Sequence, residues 1–231
     1  MENEVFECTE ESLFYQKCLE ELVFKNAYNF KTIVEFGSGD GMPVIEAMTR
    51  CHFDGFVYGF EYSAKAYEML LENITKIHFC EKYRVKNQSF FDAKLPKAEV
   101  VIANPPYIPY LSSDMLLPHL WGGEKGCTIS KEILHVDIPN VMMLIASYSN
   151  PIELINYAHS LGYRVADFLM INMSYGVYSS EPKIKEYRER LATEHCAFFH
   201  KDYYKVAGVL FQKKSPFNDK KEALIAQLIH F

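Results

Sequence analysis

Much that would place this chain in another protein class is missing from it. No run approaches the ~18 consecutive apolar residues of a membrane span, so no membrane-spanning segment is expected. The opening residues, MENEVFECTEESLFY, are acidic and lack the basic-then-apolar order of a secretory signal, which leads to the expectation of a cytoplasmic protein. Six cysteines (Cys8, Cys18, Cys51, Cys80, Cys127, Cys196) include no C-x-x-C pair. In a cytosolic chain such scatter reads as buried or free thiols, not as a disulfide framework or a metal site. The eight histidines form no H-x-x-x-H pair, so zinc finds no obvious ligand set and no metal is expected. Low-complexity segments, internal repeats and Pro/Gly/Ser-rich linkers are absent as well. Positive charge is also short: the formal net charge is −6, which disfavours binding nucleic acid over the whole surface but leaves room for a local basic face. The best local candidate is KIKEYRER (183–190), a run that more often marks a solvated helix.

What is present is enough apolar sequence for a substantial core: 49% of 231 residues are hydrophobic, sufficient for one large domain or one domain with an extension. SLFYQKCLEELVF predicts an amphipathic N-terminal helix with Leu13, Tyr15, Leu19, Leu22 and Val23 as core contacts. Strand and helix patterns then alternate. Strands are predicted at KTIVEF (31–36), GFVYGFE (55–61), YRVKNQSF (83–90), AEVVIA (98–103) and VMMLIAS (141–147), and again at YRVADFLMI (163–171) and YYKVAGVLFQ (203–212). Helices are predicted at PVIEAMTRC, SAKAYEMLLENI, TISKEILHVDI (128–138), EPKIKEYRERLATEH and the tail NDKKEALIAQLIHF (218–231). NPIELINYAHSLG (150–162) is a further helix, with Asn150 as a possible N-cap, Pro151 in its first turn and Gly162 as its stop. The alternation implies an α/β fold, a doubly wound, mostly parallel seven-stranded sheet whose terminal strand pair brings in an antiparallel last strand.

The loop VEFGSGDG (34–41) joins a strand to a helix. Gly37, Gly39 and Gly41 let the backbone bend sharply and pass close to a ligand, although three glycines alone also suit a tight β-α turn. Glu61 ends the next strand, 20 residues after Gly41, where a carboxylate can accept both hydroxyls of a ribose. The spacing G-x-G-x-G differs from the G-x-G-x-x-G that seats a pyrophosphate, which disfavours a nicotinamide-dependent oxidoreductase. Glu35, just before the first glycine, suits a ligand carrying an ammonium group better than one carrying phosphates. S-adenosylmethionine has an adenosine, a sulfonium and an amino-acid end, and no phosphate. Asp92, in QSFFDAKLP, is placed to accept from an adenine amino group while Phe90 or Phe91 covers the ring; a loop acid capping a turn is the plainer reading.

The fourth strand runs into NPPYIPY (104–110). Pro105 and Pro106 carry no N–H, so the loop presents carbonyl acceptors with fixed φ and no competing donors from those positions. The Asn104 side-chain oxygen adds a second acceptor, and two acceptors converging on one spot suit an –NH₂ group. Tyr107 then has a flat group to stack on. Methyl transfer to such a nitrogen needs positioning and stabilisation of developing positive charge more than a general base.

Taken together, these residues resemble the class I S-adenosylmethionine-dependent methyltransferases, a Rossmann-like fold. The specific likeness is to the amino-methylating group marked by [DNS]-P-P-[YFW], and within it to the HemK-type N5-glutamine methyltransferases, whose motif often continues as NPPYI. LWGGEKGCTISKEIL (120–134) resembles that family's paired-glycine loop, and ECTEESLFY (7–15) resembles the acidic segment over the cofactor in its short members. The resemblance covers roughly residues 5–171. It implies cofactor contacts at Glu35, Gly37, Gly39, Gly41, Glu61, Asp92 and Phe91, with Ser12 near the methionine end. It implies catalytic roles for Asn104, Pro105 and Tyr107, with Pro106 also on the substrate side. It further implies a methyltransferase domain at 31–215, preceded by a helical segment (1–30) and followed by a C-terminal helix (216–231). The implied acceptor is a release-factor-like protein glutamine, with a small activating partner as in the short eukaryotic and archaeal forms. A nucleic-acid base or a small-molecule amine is the alternative acceptor, and a non-catalytic subunit the alternative role. Met42 and Pro43 depart from the small residues usual after the glycine loop. Residues 172–202 match no part of the family and are expected to shape acceptor choice.

Overall fold

The computed structural model describes residues 8–25, 29–77, 81–213 and 218–231. Its seven strands are β1 (Thr32–Phe36), β2 (Phe56–Glu61), β3 (Tyr83–Asn87), β4 (Val100–Ala103), β5 (Asn140–Ala146), β6 (Arg164–Ser174) and β7 (Tyr203–Gln212). The α-helices are α1 (Thr9–Leu19), α2 (Met42–Arg50), α3 (Ala64–Lys76), α4 (Thr128–Ile133), α5 (Pro151–Ser160), α6 (Pro182–Thr193) and α7 (Lys221–Ile229). Strand order is β3-β2-β1-β4-β5-β7-β6. β1 pairs in parallel with both β2 and β4, β2 pairs in parallel with β3, and β6 and β7 are antiparallel. The expected doubly wound, mostly parallel sheet with an antiparallel end is therefore present. The described residues divide into two compact units, Met1–Asn104 with Ile138–Met142, and Pro105–Asp137 with Met143–Phe231.

In the first unit β4 is buried along its whole length, as expected of an unbroken apolar strand covered on both faces. Val44, Ile45, Ala47 and Met48 are the buried face of α2, and Ala66, Leu70 and Ile74 that of α3, which packs against β2 and β3. Ser63 caps α3, its hydroxyl accepting the Ala66 N–H at 3.3 Å. Tyr15, Leu19, Leu22 and Val23 are buried as expected, but Leu13 is 57% exposed. The reason is helical phase. Phe14 and Cys18 carry the inner face of α1, whereas Leu13 shares its outer face with Glu10 and Lys17. After Leu19 the helix widens into a π-helical turn (Glu20–Phe24), closed by the Lys25 N–H on the Glu20 carbonyl. β3 stops at Asn87, three residues before the predicted end, because its partner β2 ends opposite it at Glu61; the Asn87 side-chain amide there donates to the Glu61 and Tyr62 carbonyls.

The second unit is built on Met143–Ala146 of β5, β6 and β7, with Val206, Ala207, Val209 and Leu210 fully buried. α5 lies where its punctuation predicted, and Gly162 follows it at φ +87°. Asn150 occupies the N-cap position but not the role: its φ is 51°, its side chain caps no backbone N–H, and its amide meets Glu153 instead. α4 ends at Ile133, five residues short of the predicted span. β6 runs on to Ser174, with a bulge between Val165 and Asp167. α7 is held by Asp219, whose carboxylate accepts the Val165 N–H at 3.0 Å, and by Lys205, whose ammonium donates to the Gln227 carbonyl at 2.7 Å.

Candidate functional site

Register brings the first unit's predicted residues together. Phe36 stands opposite Phe60 on one side and Ala103 on the other, and Glu61 opposite Asn87. Gly37, Glu61 and Asn104 therefore leave neighbouring strands at one level, at the carboxyl edge where open α/β sheets bind ligands. Gly37, Gly39 and Gly41 have φ of +63°, +56° and +73°. A Cβ added at Gly37 or Gly39 would meet nothing within 4 Å, so this backbone borders open space, whereas one at Gly41 would lie 2.9 Å from Leu70. The first two glycines leave room beside the backbone, and the third lets α3 pack against the loop.

Glu61, buried at 8% exposure, braces the loop: one carboxylate oxygen accepts the Gly39 N–H at 2.8 Å and the other the Ser63 N–H at 2.7 Å. Glu35 is buried and receives the Tyr83 hydroxyl. Burial pushes its carboxyl up to about 7, the Tyr83 hydrogen bond pulls the other way, and nearby Glu61 and Asp40 add to the rise. Phe90 is packed inside against Phe36 and Phe60, while Phe91 is 43% exposed with its ring 5.5 Å from Phe36. Of the two phenylalanines only Phe91 offers a face to a ligand, beside the exposed Asp92. Ser12 opens onto a cleft of about 600 Å³ that also takes in Gln16, Asp40, Met42, Pro43 and Glu46.

Glu11 lies in the acidic segment 7–15, where nothing in the sequence sets it apart from Glu10. It is buried, and its carboxylate accepts the Asn104 amide N–H at 2.8 Å. With the amide nitrogen so engaged, the Asn104 Oδ1 is left buried and without a hydrogen-bond partner among the described residues. A buried acceptor in that condition costs about 1–3 kcal/mol, a cost that a ligand donor removes. Tyr83 carries no mark either: in the sequence it is an ordinary strand residue, and only folding brings its hydroxyl to Glu35.

In the second unit Pro105 and Tyr107 are buried and Pro106 is half-buried. The Tyr107 hydroxyl lies 3.4 Å from that of Tyr204, its carbonyl accepts the Ser149 hydroxyl at 2.6 Å, and its ring meets Tyr148 edge-on at 5.9 Å. The paired-glycine loop is laced to it: Ile108 N–H to the Leu120 carbonyl, Gly122 N–H to Ile108, and Tyr110 N–H to Gly123. Contact is so close that a Cβ on Gly122 would fall 2.6 Å from the Tyr107 Cα, and one on Gly126 2.6 Å from the Tyr107 carbonyl oxygen. KIKEYRER forms part of α6 but presents no basic stripe. Lys183 pairs with Glu181, Arg190 with Glu194, and Arg188 is buried.

Among the described residues no group of His, Cys, Asp and Glu is arranged to hold a metal, and no helix is long and apolar enough to cross a membrane. No protein-family model and no curated protein matches the sequence. Solved structures do match the fold. A candidate RNA methyltransferase of Pyrococcus horikoshii superposes with a TM-score of 0.57 at 14% identity, over 88% of this chain and 84% of its own. TYW2 of M. jannaschii, solved in complex with AdoMet, gives 0.53 at 17% identity, over 90% and 79%. The METTL16 methyltransferase domain gives 0.57 at 10% identity, over 91% and 86%. The chain has the Rossmann-like fold of these methyltransferases. At such identities the likeness establishes the fold alone, and chemistry must be argued from the residues.

Proposed function

We propose that the chain is an S-adenosylmethionine-dependent N-methyltransferase acting on a planar amino or amide nitrogen, a protein glutamine side chain first among the acceptors. The observation that carries this reading is the buried, unpartnered Asn104 Oδ1 at the carboxyl edge of β4, directly before two residues that lack an N–H. The first unit fits the cofactor. Open-faced glycines at 37 and 39 admit its backbone-hugging middle, Glu61 and Asp92 are carboxylates for ribose hydroxyls and an adenine amine, and Phe91 offers a ring face. Glu35 and Ser12 serve the amino-acid end. Similarity of fold to a protein solved with AdoMet supports the same assignment.

When bound, that cofactor supplies a sulfonium methyl, an electrophile that requires no covalent enzyme intermediate. The chain's own part is to hold the acceptor. Asn104 Oδ1 and the Pro105 carbonyl each accept one hydrogen of the –NH₂ group, which orients the nitrogen and fixes its distance. As the nitrogen gains positive charge, both acceptors strengthen, which lowers the barrier. Pro106 keeps the turn rigid, and Tyr107 covers the planar group. The proton leaves to water after transfer, so no general base is assigned.

Glutamine is favoured because the motif continues as NPPYI and the paired-glycine loop accompanies it; a small activating partner and a cytoplasmic location belong to the same reading. Incubation with methyl-labelled S-adenosylmethionine and separated protein, nucleic-acid and small-molecule fractions tests it. Label in the protein fraction, recovered as methylglutamine, is expected. Label in nucleic acid or small molecules replaces the acceptor and keeps the chemistry. No cofactor binding by calorimetry rejects the whole reading.

A further inference from the structure

We propose that Arg188 is a positioning residue for the acceptor platform, holding Tyr107 in place through a chain of stacked tyrosines. The inference rests on the reading of Tyr107 as the group that covers the acceptor. Arg188 projects from α6, between the last two strands, and is only 3% exposed. Among the described residues no carboxylate pairs with it. Its one recorded hydrogen bond runs from Nη1 to the Ser179 carbonyl at 2.9 Å, and its Nε is buried without a partner. A buried cation left in that condition is costly unless something else answers its charge.

Aromatic faces answer it. The guanidinium carbon lies 4.0 Å from the Tyr175 ring centroid, 5.0 Å from that of Phe199 and 5.5 Å from that of Tyr148. Two of these rings lead to the acceptor loop. Tyr175 stacks on Tyr204 at 5.3 Å and 30°, and the Tyr204 hydroxyl stands 3.4 Å from the Tyr107 hydroxyl. Tyr148 meets Tyr204 at 4.7 Å and Tyr107 at 5.9 Å. The guanidinium thus polarises and immobilises two rings that between them fix the ring of Tyr107. A planar cation does this from one side without offering a proton donor to the acceptor, which an aliphatic core residue or a hydroxyl does not reproduce.

The test uses the full-length protein labelled with 3-fluorotyrosine, with the Tyr107 resonance assigned by Tyr107→Phe. Arg188→Met should shift or broaden the Tyr107 fluorine signal while that of Tyr83, in the other unit, stays put. Arg188→Lys should recover part of the wild-type position, because it restores charge but not planar stacking. Should Arg188→Met fail to fold, Tyr175→Leu at a half-buried position removes the same link and should move Tyr107 likewise. An unmoved Tyr107 signal in the folded variants overturns the proposal, and so does an equal shift of Tyr83, which marks general loosening. A kinetic arm uses whichever fraction the wild type labels: about tenfold lower kcat with unchanged affinity for S-adenosylmethionine is expected. If the wild type labels no fraction, methyl transfer is rejected while the fluorine spectra still decide the link.

Discussion

Asn104 carries two polar atoms in opposite situations, and the proposed chemistry rests on the difference between them. Its amide nitrogen is committed to Glu11, and its oxygen is buried and waiting for a donor. Glu11 thereby fixes which way the amide points. Glu11→Ala should lower methyl transfer by about 10- to 100-fold, the scale of a misplaced reacting group, with cofactor affinity unchanged. Glu11→Gln keeps a carbonyl acceptor and should retain most of the rate; single-turnover kinetics alongside calorimetry separates these outcomes. Glu61→Ala should weaken cofactor binding by about 1.5–3 kcal/mol, as hydrogen bonds to a charged group do, and calorimetry reads it directly. Glu35 makes a prediction in pH. Its folded-state value is raised from 4.5 to about 7, so between those values the folded protein binds the proton that the unfolded chain has released. Stability contributed at this site is therefore full below pH 4.5 and falls as pH rises to about 7, by about 3 kcal/mol in all. Glu35→Gln should abolish that decline, measured as the difference between the urea midpoints of variant and wild type across this range.

Among the elements, the loops around the site matter more than the strands that deliver them. The paired-glycine loop approaches Tyr107 so closely that Gly126→Ala must move one or the other, at a φ of +78° that an L-residue resists. A loss of about 1–3 kcal/mol in thermal or urea unfolding is expected, with acceptor turnover falling while cofactor affinity holds. Strand and helix positions were readable because alternation and 3.6-residue spacing are local properties. Where reading failed, the neighbouring elements or the local geometry had decided the outcome. β3 stops at Asn87 because its partner strand β2 ends opposite it, at Glu61. Asn150 turns to Glu153 instead of capping α5. Leu13 has the right residue type on the wrong face. The glycines, Glu61 and Asn104 were legible as a motif because backbone geometry demands those residues at those places. Glu11, Tyr83 and Arg188 carried no such mark, since a buried acid, tyrosine or arginine is recognised only by what folds against it.

For the whole molecule, Cys8, Cys51, Cys127 and Cys196 among the described residues are free thiols. Addition of a thiol reductant should leave the thermal unfolding midpoint unchanged, checked by scanning calorimetry with and without it; a fall would reveal a disulfide. A net charge of −6 and a helix α6 in which Lys183 and Arg190 are paired and Arg188 is buried, leaving Lys185 exposed, also argue against general adhesion to nucleic acid.

The bond between Glu11 and Asn104 joins residues 93 positions apart. During synthesis the first helix leaves the ribosome long before β4 exists, so the acid must wait, without its amide, for most of the first unit to be translated. The turned Asn104 is then among the last local arrangements to form in that unit, and a chain that ends before β4 lacks it. On the proposed reading, competence to transfer a methyl group is thus tied to completion of the fold that joins α1 to β4.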